Sequence, residues 1–389
     1  MPNEPNSPLH DAVIVGAGPA GCSCARELAA HGLDVVLVER ERFPRWKPCA
    51  GGLSRKMAAL LPAELRGQIE RTALSARLTY GPDNVARYAA AEPIGWLVHR
   101  ERFDHAHLNL VRALPAVEVR EGRAVRLVER RDDHVRVTLV DGDIVRARVA
   151  VGADGVSSVV GRDILPDPSA RYGVAIEAET EPSEMPVDPD LVFDFASFPG
   201  GYGWVFPKAH SYSVGGFVRR PREHDIRERL TRFISSVPSL SGVRVARCRG
   251  YRVPVGTPRR LLAGGRALLV GDAAGLVDPV TGEGISYAFL SGQLAARAIT
   301  AFVRKGSDLS AYPESLAGVV REMRRAHRLA EILYAHPFRA FQVLMRDAFV
   351  RTWFVDVLRG KRTYAGFLLR VAAAIPRLLI AATQRHTHS

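Results

Sequence analysis

Near the N-terminus the sequence reads Asp11-Ala-Val-Ile-Val-Gly-Ala-Gly-Pro-Ala-Gly21. A short apolar strand followed by this glycine spacing is typical of a strand-to-helix turn that binds a dinucleotide. The first glycine permits the tight turn, the second lets the backbone approach a pyrophosphate, and the third lets the helix pack closely on the strand. The pyrophosphate is expected at the positive N-terminal end of that helix. The predicted binding residues of the turn are Gly16, Ala17, Gly18, Pro19, Ala20 and Gly21.

A second apolar run, Val35-Val-Leu-Val38, ends in Glu39, which lies 18 residues after Gly21. A carboxylate at the tip of the second strand accepts hydrogen bonds from a ribose hydroxyl pair and repels a 2′-phosphate. The pattern therefore indicates an unphosphorylated adenosine, which leaves FAD or NAD as the cofactor. Glu39 and the adjacent Arg40 are predicted to lie at the adenosine end of the site.

Length and composition favour a large folded protein of two or three joined units. The chain has 389 residues, 47% of them hydrophobic, and domains commonly hold ~100 to 200 residues. The four cysteines are too few for a disulfide framework, and because no pair has metal-site spacing we expect no metal. Cys22 and Cys24 are interpreted as small buried residues of the first helix. The first eight residues lack signal-peptide features, which favours a short disordered lead and a cytoplasmic protein.

Much of the net charge of +13 lies near the C-terminus, where residues 301–389 hold 15 Lys and Arg against 6 Asp and Glu. Three interpretations stay open for this charge: a docking surface for an acidic ferredoxin, attraction to an anionic membrane surface, or a solvated arginine-rich face. Nucleic acid is not expected as a partner, because no base-reading element with interleaved aromatic residues accompanies the charge.

Strand and helix patterns alternate from residue 12 to about residue 61, which is typical of the start of a doubly wound sheet. Short alternating runs separated by Pro and Gly, such as Val192-Phe-Asp-Phe195, instead indicate antiparallel strands of a second unit. An Asp-Gly turn between alternating arms at 135–151 predicts a hairpin that returns to the first unit. From about Ser291 onward the pattern is helical, including 321–334 and 338–358.

The stretch 367–382 is strongly apolar but too short and too charged to span a bilayer, which needs ~20 apolar residues. Arg370 and Arg377 are seven residues apart and share one helical face. This favours an amphipathic segment that lies on a membrane, giving a peripheral position on the inner face of the cell membrane, or one that packs on the body of the protein.

Two later segments each end an apolar strand in a Gly and Asp pair: Val151-Gly-Ala-Asp154-Gly155 and Gly271-Asp272. Each places a carboxylate at the C-terminal edge of a strand, where an open α/β sheet binds its ligand. After a dinucleotide turn, the two segments resemble glutathione-reductase-type flavoproteins of the aromatic hydroxylase branch. The resemblance implies FAD, with Asp272 on the ribityl chain and a helix N-terminus aimed at the flavin pyrimidine. It places three residues at the flavin ring: Gly282, Gly284 and Ile285.

Three further segments resemble geranylgeranyl reductases. The first, Lys47-Pro-Cys-Ala-Gly-Gly52, is similar to a loop that runs past the isoalloxazine, although many members carry Gly at position 50. The second, Tyr202-Gly-Trp-Val-Phe-Pro-Lys208, is similar to a strand of that family, and the third, Arg100-Glu-Arg-Phe-Asp104, to a helix start whose arginine approaches FAD. A segment nearer the C-terminus, Gly360-Lys-Arg-Thr-Tyr364, is also similar to that family. Flavin-dependent halogenases carry a different Trp-x-Trp-x-Ile-Pro strand, which argues against that branch.

The resemblance covers nearly the whole chain and implies an α/β protein, α+β overall. We expect a discontinuous Rossmann-type FAD-binding domain (1–75, 98–165 and 262–305), an antiparallel-sheet substrate domain (76–97 and 166–261) and a C-terminal helical, basic region (306–389). Further cofactor residues are predicted besides the glycine turn, Glu39, Arg40 and the three positions at the flavin ring. They are Cys49, Ala50, Gly51, Arg100, Ala124, Val125, Asp154, Gly155, Gly271 and Asp272.

The resemblance also implies a reaction, the reduction of isolated carbon–carbon double bonds in a prenyl chain by reduced FAD. One alkene carbon receives a hydride and the other a proton, in a dry apolar pocket that positions the chain. Cys49 is the candidate proton donor. Two alternatives are that it shapes the proton path, or that it is a small buried residue beside the cofactor.

The predicted substrate pocket contains Tyr202, Trp204, Phe206 and Lys208, because alternate residues of a strand share one face. Phe193 and Phe195 fit either this pocket or a plain sheet core. Lys208 has two interpretations: it contacts a diphosphate or other headgroup, or it marks the surface end of a strand.

The sequence leaves more than one candidate for the electron donor and for the reaction class. The chain contains no second Gly-x-Gly-x-x-Gly turn, so the donor is NADPH bound transiently or a ferredoxin. An FAD monooxygenase acting on an aromatic or lipid substrate needs the same scaffold. A prenyl-binding carrier resembling the GDP dissociation inhibitors needs no FAD, and the intact Glu39, Asp154 and Asp272 argue against it. The headgroup stays open among a diphosphate, a chlorophyll, a glycerolipid and a quinone.

Overall fold

A computed structural model describes residues 8–81, 83–182, 188–219 and 225–370. The predicted N-terminal lead and most of the predicted amphipathic segment 367–382 lie outside these residues. The strands are β1 (Leu9–Val15), β2 (Val35–Glu39), β3 (Gly52–Ser54), β4 (Ile69–Ala73), β5 (Ser75–Thr79), β6 (Val85–Ala89), β7 (Gly95–Val98), β8 (Val117–Glu121), β9 (Val125–Arg130), β10 (Val135–Leu139), β11 (Ile144–Gly152), β12 (Arg171–Thr180), β13 (Leu191–Asp194), β14 (Gly201–Pro207), β15 (Tyr212–Val218), β16 (Val245–Val255), β17 (Ala263–Gly264) and β18 (Ala267–Leu269).

The helices alternate with these strands at first and then dominate the C-terminal part of the chain. Short 3-10 turns occupy Arg55–Ala59, Ala63–Gln68, Pro238–Leu240 and Gly271–Ala274. The α-helices are α1 (Pro19–Ala30), α2 (Arg100–Arg112), α3 (Val159–Asp163), α4 (Ile226–Ser236), α5 (Ile285–Lys305), α6 (Ala311–Ser315), α7 (Ala317–Ala335), α8 (Pro337–Arg346) and α9 (Ala348–Leu358).

An eight-stranded sheet forms the doubly wound core that the sequence predicts. Its main path runs β17-β18-β11-β1-β2-β8, and every pair from β18 to β8 is parallel. β2 is buried along its whole length, as expected for a strand that is covered on both faces. The Rossmann-type fold is confirmed.

This sheet is assembled from distant parts of the chain. β10 and β11 form the predicted antiparallel hairpin around an Asp-Gly turn, with Gly142 at φ +96°. β11 then runs parallel to β1, with Gly152 opposite Val15, and β18 lies on its other side. Because these strands are parallel, the residues that follow β1, β11 and β18 meet at one edge of the sheet.

Helices α1 and α5 pack closely on each other through small residues. Ser23 donates a hydrogen bond to the carbonyl of Phe289 over 3.1 Å. A Cβ at Gly292 would lie 2.5 Å from the carbonyl oxygen of Ala20, so only glycine allows this approach. Cys22 and Cys24 are fully buried in α1, as predicted.

The second large sheet runs β16-β12-β15-β14-β13-β5-β6 and confirms the predicted antiparallel unit. One pair, β13 and β5, is parallel, because the chain joins these strands through residues 80–190 and not through a hairpin. β14 and β15 are buried along their whole length, since α4 packs on one face and the C-terminal helices pack on the other. A small sheet of β3, β7 and β4 lies across the predicted boundaries near residues 75 and 98.

The C-terminal region is helical, with two differences from the expected bounds. The first helix begins at Ile285 and not at about Ser291. The run 338–358 is two helices, because Asp347 leaves the helical conformation and its carboxylate accepts hydrogen bonds from the N–H groups of Phe349 and Val350 at the start of α9. In the part of the chain that the structure describes, no helix is long and apolar enough to cross a membrane.

A buried histidine in α2 ties stability to pH. The ring of His107 stacks on Phe289 at a centroid distance of 4.8 Å, and neither ring nitrogen has a hydrogen-bond partner among the described residues. Burial, with a smaller contribution from Arg26, lowers the pKa of His107 to about 3. The native protein therefore keeps this imidazole neutral at mildly acid pH, where the unfolded chain protonates it.

We expect His107 to cost the native state stability as the pH falls below about 6.5, by about 1.4 kcal/mol per pH unit until its native pKa is reached. His107→Leu removes the unpaired imidazole, so its free energy of unfolding falls less between pH 7.5 and pH 5. Urea unfolding at several pH values measures this difference. His105→Leu, which removes a half-buried imidazole from the same helix, is the control. Equal pH slopes in wild type and His107→Leu would contradict the expectation.

Candidate active site

The glycine turn after β1 has the geometry of a phosphate-binding turn. Gly16 has φ +104°, and a Cβ there would lie 2.4 Å from the carbonyl oxygen of Ala153. A Cβ at Gly21 would lie 1.9 Å from the carbonyl oxygen of Gly16, so the start of α1 packs directly on the turn. At Gly18, by contrast, a Cβ would meet nothing within 4 Å. The turn therefore leaves open space at the N-terminus of α1, which fits a pyrophosphate.

Glu39 is buried at the end of β2 and is tied to the same turn. Its carboxylate accepts hydrogen bonds from the backbone N–H groups of Ala17, at 2.7 Å, and Glu41, at 2.9 Å. A carboxylate has about four lone-pair positions, so it can also accept hydrogen bonds from ribose hydroxyls. The carbonyl of Glu39 accepts a hydrogen bond from Arg123, which brings the predicted residues Ala124 and Val125 near the adenosine end. The side chain of Arg40 is exposed.

Asp154 and Asp272 follow β11 and β18 at the same sheet edge. Asp154 accepts a hydrogen bond from the N–H of Val159 at 2.6 Å, while its other oxygen is buried without a partner among the described residues. Burial raises the pKa of both carboxyls, and at Asp272 the nearby cations Lys47 and Arg100 oppose this rise. Buried acceptors of this kind normally have a partner, and cofactor hydroxyl groups fit the role.

The loop that precedes α5 places a helix N-terminus at this edge. Gly284 caps α5, and Gly282 has φ +71°. The carboxylate of Asp278 accepts hydrogen bonds from the N–H groups of Val280 and Thr281, at 2.9 and 3.0 Å. The positive end of α5 can stabilise the negative charge of a reduced flavin ring.

Tyrosines from three parts of the chain hold this loop. The hydroxyls of Tyr202 and Tyr334 donate hydrogen bonds to the carbonyls of Thr281 and Val280, respectively. The hydroxyl of Tyr364, from the late sequence match, contacts both oxygens of Asp278 at 2.8 and 2.9 Å. The C-terminal region therefore supports the loop that the resemblance places at the flavin.

Cys49 lies on a constrained loop beside a buried arginine. Gly51 has φ +70°, and a Cβ there would lie 2.1 Å from the carbonyl oxygen of Val98. Arg100 is held by two hydrogen bonds of 2.8 Å to the carboxylate of Asp104. Burial opposes the charge of Arg100, but Asp104 and Cys49 together raise its pKa. The thiol of Cys49 thus faces a permanent positive charge.

Lys208 is not at the surface, so the interpretation as an exposed strand end is wrong. Only 2% of the residue is exposed. Its ammonium donates hydrogen bonds to the carbonyls of Ala50, at 2.5 Å, and Val98, at 3.0 Å. The side chain lies inward, where its ammonium supplies a donor to the buried carbonyl of Val98 and the part-buried carbonyl of Ala50. Lys208 therefore ties the Cys49 loop to β7.

An apolar cavity lies between the second sheet and the C-terminal helices, with about 550 Å³ of empty space including its opening. Tyr202, which is predicted for the substrate pocket, lines this cavity, and so do Phe193 and Phe195. Trp204 and Phe206, also predicted for the substrate pocket, belong to the same apolar cluster but are not among the residues that line this cavity. The full lining is Leu78, Phe193, Phe195, Tyr202, Val280, Thr281, Leu333, Tyr334, Pro337, Ala340, Phe341 and Phe354.

Sequence reasoning missed the helical wall of this cavity and the residue Glu177. The wall residues of α7 and α8 recur at three- and four-residue spacing, which also describes an ordinary packing helix. Glu177 alternates with apolar residues in β12 and is typical of a solvent-facing strand position, yet it is buried beside the Cys49 loop. The signal that could have found it is a charged pair, Glu177 and Glu179, on a strand otherwise rich in apolar residues.

The comparisons with known proteins agree with this geometry. A family model described as an FAD binding domain matches residues 10–325. Digeranylgeranylglycerophospholipid reductase 2 of Methanosphaera stadtmanae is 30% identical over 313 residues, which cover 76% of this chain and 79% of the relative.

Two solved structures share the fold. A geranylgeranyl bacteriochlorophyll reductase-like protein from Thermoplasma acidophilum aligns with a TM-score of 0.77 at 24% identity, over 90% of this chain and 91% of that one. A flavin-dependent brominase aligns with a TM-score of 0.75 at 19% identity, over 95% of this chain and 100% of that one.

The doubly wound sheet, the open glycine turn and the unsatisfied carboxylate at the sheet edge define an FAD-dependent oxidoreductase. Within that class, the chain belongs to the geranylgeranyl reductase family. FAD as the cofactor is confirmed, while the individual FAD-contacting residues stay predictions.

Two glycine substitutions separate cofactor binding from folding. Gly18→Val places its side chain in open space, so we expect the apoprotein to keep its stability within about 1 kcal/mol while its affinity for FAD falls at least about tenfold. Gly21→Val drives a side chain into the carbonyl of Gly16, so we expect the apoprotein itself to be destabilised by several kcal/mol, on the order of an overpacked core. Thermal unfolding of the apoproteins and FAD titration measure both effects. If Gly18→Val and Gly21→Val lost apoprotein stability equally, the open space beside Gly18 could not be assigned to the cofactor.

Proposed function

We propose that this protein reduces isolated carbon–carbon double bonds of a prenyl chain. The observation that carries the proposal is the apolar cavity, which meets the predicted flavin loop at Val280 and Thr281. A prenyl chain offers almost only apolar surface, and burying it in such a cavity is favourable. The name of the Methanosphaera stadtmanae relative, a reductase of a digeranylgeranyl lipid, supports the same substrate class.

In this function the cavity walls hold the chain in one orientation and exclude water from the reacting carbons. Bound FAD in its reduced form supplies the hydride. The thiol of Cys49 gives a proton to the second alkene carbon, and the adjacent guanidinium of Arg100 stabilises the thiolate that remains. Tyr202 keeps its hydroxyl hydrogen bond to Thr281 and so fixes the loop.

The proposed electron donor is NADPH or a ferredoxin. Arg321, Arg324 and Arg328 of α7 are exposed, and their spacing places them near one face of the helix. Such a face attracts an acidic ferredoxin or an anionic lipid surface, which would give the protein a peripheral membrane position.

The test is an incubation of the purified holoenzyme, reduced with dithionite under strict anaerobiosis, with geranylgeranyl diphosphate. We expect products heavier by two hydrogens for each reduced bond, identified by mass spectrometry. The second candidate is an FAD monooxygenase, favoured by the fold shared with the brominase. It would form product only in the presence of air, and that product would carry an additional oxygen atom. A colourless protein that binds the prenyl chain without FAD would identify a carrier. Lipid, quinone and pigment masses from a deletion strain then identify the headgroup.

Filling the apolar cavity tests its role directly. Ala340 of α8 lines the cavity, and Ala340→Trp would occupy the space of several chain carbons. We expect kcat/KM for geranylgeranyl diphosphate to fall at least about tenfold, with the FAD content unchanged. Arg339→Trp adds the same side chain at the neighbouring exposed position and should keep wild-type kinetics. Similar kinetics in both variants would show that the chain binds elsewhere.

A further inference from the structure

A second cavity, polar in character, borders Cys49 directly. Its walls come from the Cys49 loop, the end of β7, the start of α2 and the strands β12, β15 and β16. In the described part of the chain it shares no lining residue with the apolar cavity. Its lining is Trp46, Lys47, Cys49, Val98, His99, Arg100, Glu101, Glu177, Glu179, Lys208, Ser213 and Arg247.

The innermost part of this cavity holds a buried acid and a buried base. Glu177 is 3% exposed and Lys208 is 2% exposed. One oxygen of Glu177 accepts a hydrogen bond from the hydroxyl of Ser213 at 2.8 Å, and the other is buried without a partner among the described residues. Lys208 uses two of its three N–H donors on the carbonyls of Ala50 and Val98. Within the described part of the chain, one donor of Lys208 and one oxygen of Glu177 therefore stay without a partner in the cavity that Cys49 also lines.

Charged residues continue from this pair to the surface. Arg247 bridges Glu101 and Glu179 with two contacts of 2.7 Å, and Glu179 also pairs with His99 at 2.9 Å. Side-chain exposure is 36% at Arg247 and 31% at Glu101, and it falls to 15% at Glu179. The polar cavity thus connects solvent with the buried pair, while the apolar cavity is walled separately.

We propose that Glu177 and Lys208 form a relay that returns a proton to Cys49 after each turnover, drawing it from solvent through the polar cavity. The proposal rests on the proposed function, since it assumes that Cys49 protonates the alkene. The S–H bond of Cys49 breaks as one new C–H bond forms, and the hydride from reduced flavin forms the other. The thiolate then takes a proton from the Lys208 ammonium, and the resulting amine is reprotonated from solvent by way of Glu177.

The ionisation of the pair supports this role. Burial raises the pKa of Glu177 to about 7, an effect opposed by Ser213, Lys208 and the N–H of Cys49. Burial lowers the pKa of Lys208 to about 8, an effect opposed by nearby acidic groups. Both groups therefore exchange protons near neutral pH. The titratable and charged groups around the pair are Lys47, Cys49, Glu70, His99, Arg100, Glu101, Glu179, Arg247, Cys248 and Tyr251.

The first test follows the reactivity of Cys49 and needs neither FAD nor a substrate. The full-length protein is alkylated with iodoacetamide at a series of pH values, and the Cys49 peptide is quantified by mass spectrometry. In Lys208→Met the loss of a cation should move the midpoint of alkylation to higher pH by about one unit. In Glu177→Gln the loss of an anion should move it to lower pH. A merely structural role would expose Cys49 and accelerate alkylation at every pH in both variants.

The second test separates proton transfer from electrostatics. Lys208→Arg keeps the positive charge and the hydrogen bonds to the loop, but a guanidinium does not release a proton. We expect Lys208→Arg to keep the wild-type alkylation midpoint and FAD content, while steady-state turnover falls at least about tenfold. Wild-type turnover should decline as the pH rises through about 8, where Lys208 loses its proton, and this decline should disappear in Lys208→Arg.

The outcomes distinguish the relay from the proposed function. Unshifted midpoints in both Lys208→Met and Glu177→Gln, or wild-type turnover in Lys208→Arg, would overturn the relay. The alkylation midpoints of Lys208→Met and Glu177→Gln can also shift in opposite directions in a protein that reduces no prenyl chain. That result would support the coupling of the pair to Cys49, and it would overturn the assignment of the alkene as the proton acceptor. If Lys208→Arg does not fold, steady-state turnover is measured in Glu177→Gln instead, where we also expect a fall of at least about tenfold.

Discussion

The close contact between α1 and α5 is the constraint on which the site depends. The backbone of Ala20 lies against Gly292, and Ser23 bonds to the backbone of α5. Any side chain at position 292 would push α5 away and displace its capping residue Gly284. Because both helices begin at the same sheet edge, this contact sets the separation of two positive helix ends. In the predicted FAD site one end would meet the pyrophosphate and the other the flavin ring, so small residues remote from the reaction would determine how the extended cofactor fits.

The site combines two environments that would be incompatible in one cavity. Chain carbons need a dry, apolar wall, whereas a proton supply needs polar groups that reach water. The loop around Cys49 separates them: Phe206 packs on its Gly52 side, and Lys208 holds its Ala50 carbonyl. The positive φ of Gly51 allows the sharp turn between these contacts. Cys49 itself lines the polar cavity, and the proposed function needs the chain carbons to reach its thiol from the apolar side.

The predictability of each feature follows from the range of the interactions behind it. Gly16, Glu39 and Asp154 could be placed from sequence because each sits at the end of a strand, and parallel strands bring their ends together. Lys208 could be assigned to a strand end, but its inward direction depends on carbonyls more than a hundred residues earlier in the chain. Glu177 carried only a weak local signal, its pairing with Glu179 on an apolar strand, since an alternating charge on a strand usually faces solvent. The break at Asp347 was hidden because its neighbours continue the helical spacing.

The hydrogen bonds from Tyr364 to Asp278 reach across most of the C-terminal region. Asp278 organises the backbone of the loop before α5, and Tyr364 is its partner inside the protein. During synthesis the sheet and the glycine turn leave the ribosome long before Tyr364 does. The strands and the glycine turn can thus form early, while the loop before α5 gains its contact with Tyr364 only after residue 364 has been synthesised. A chain that stops short of Tyr364 would therefore leave the loop before α5 with two of the three tyrosine contacts that the described residues provide, those of Tyr202 and Tyr334.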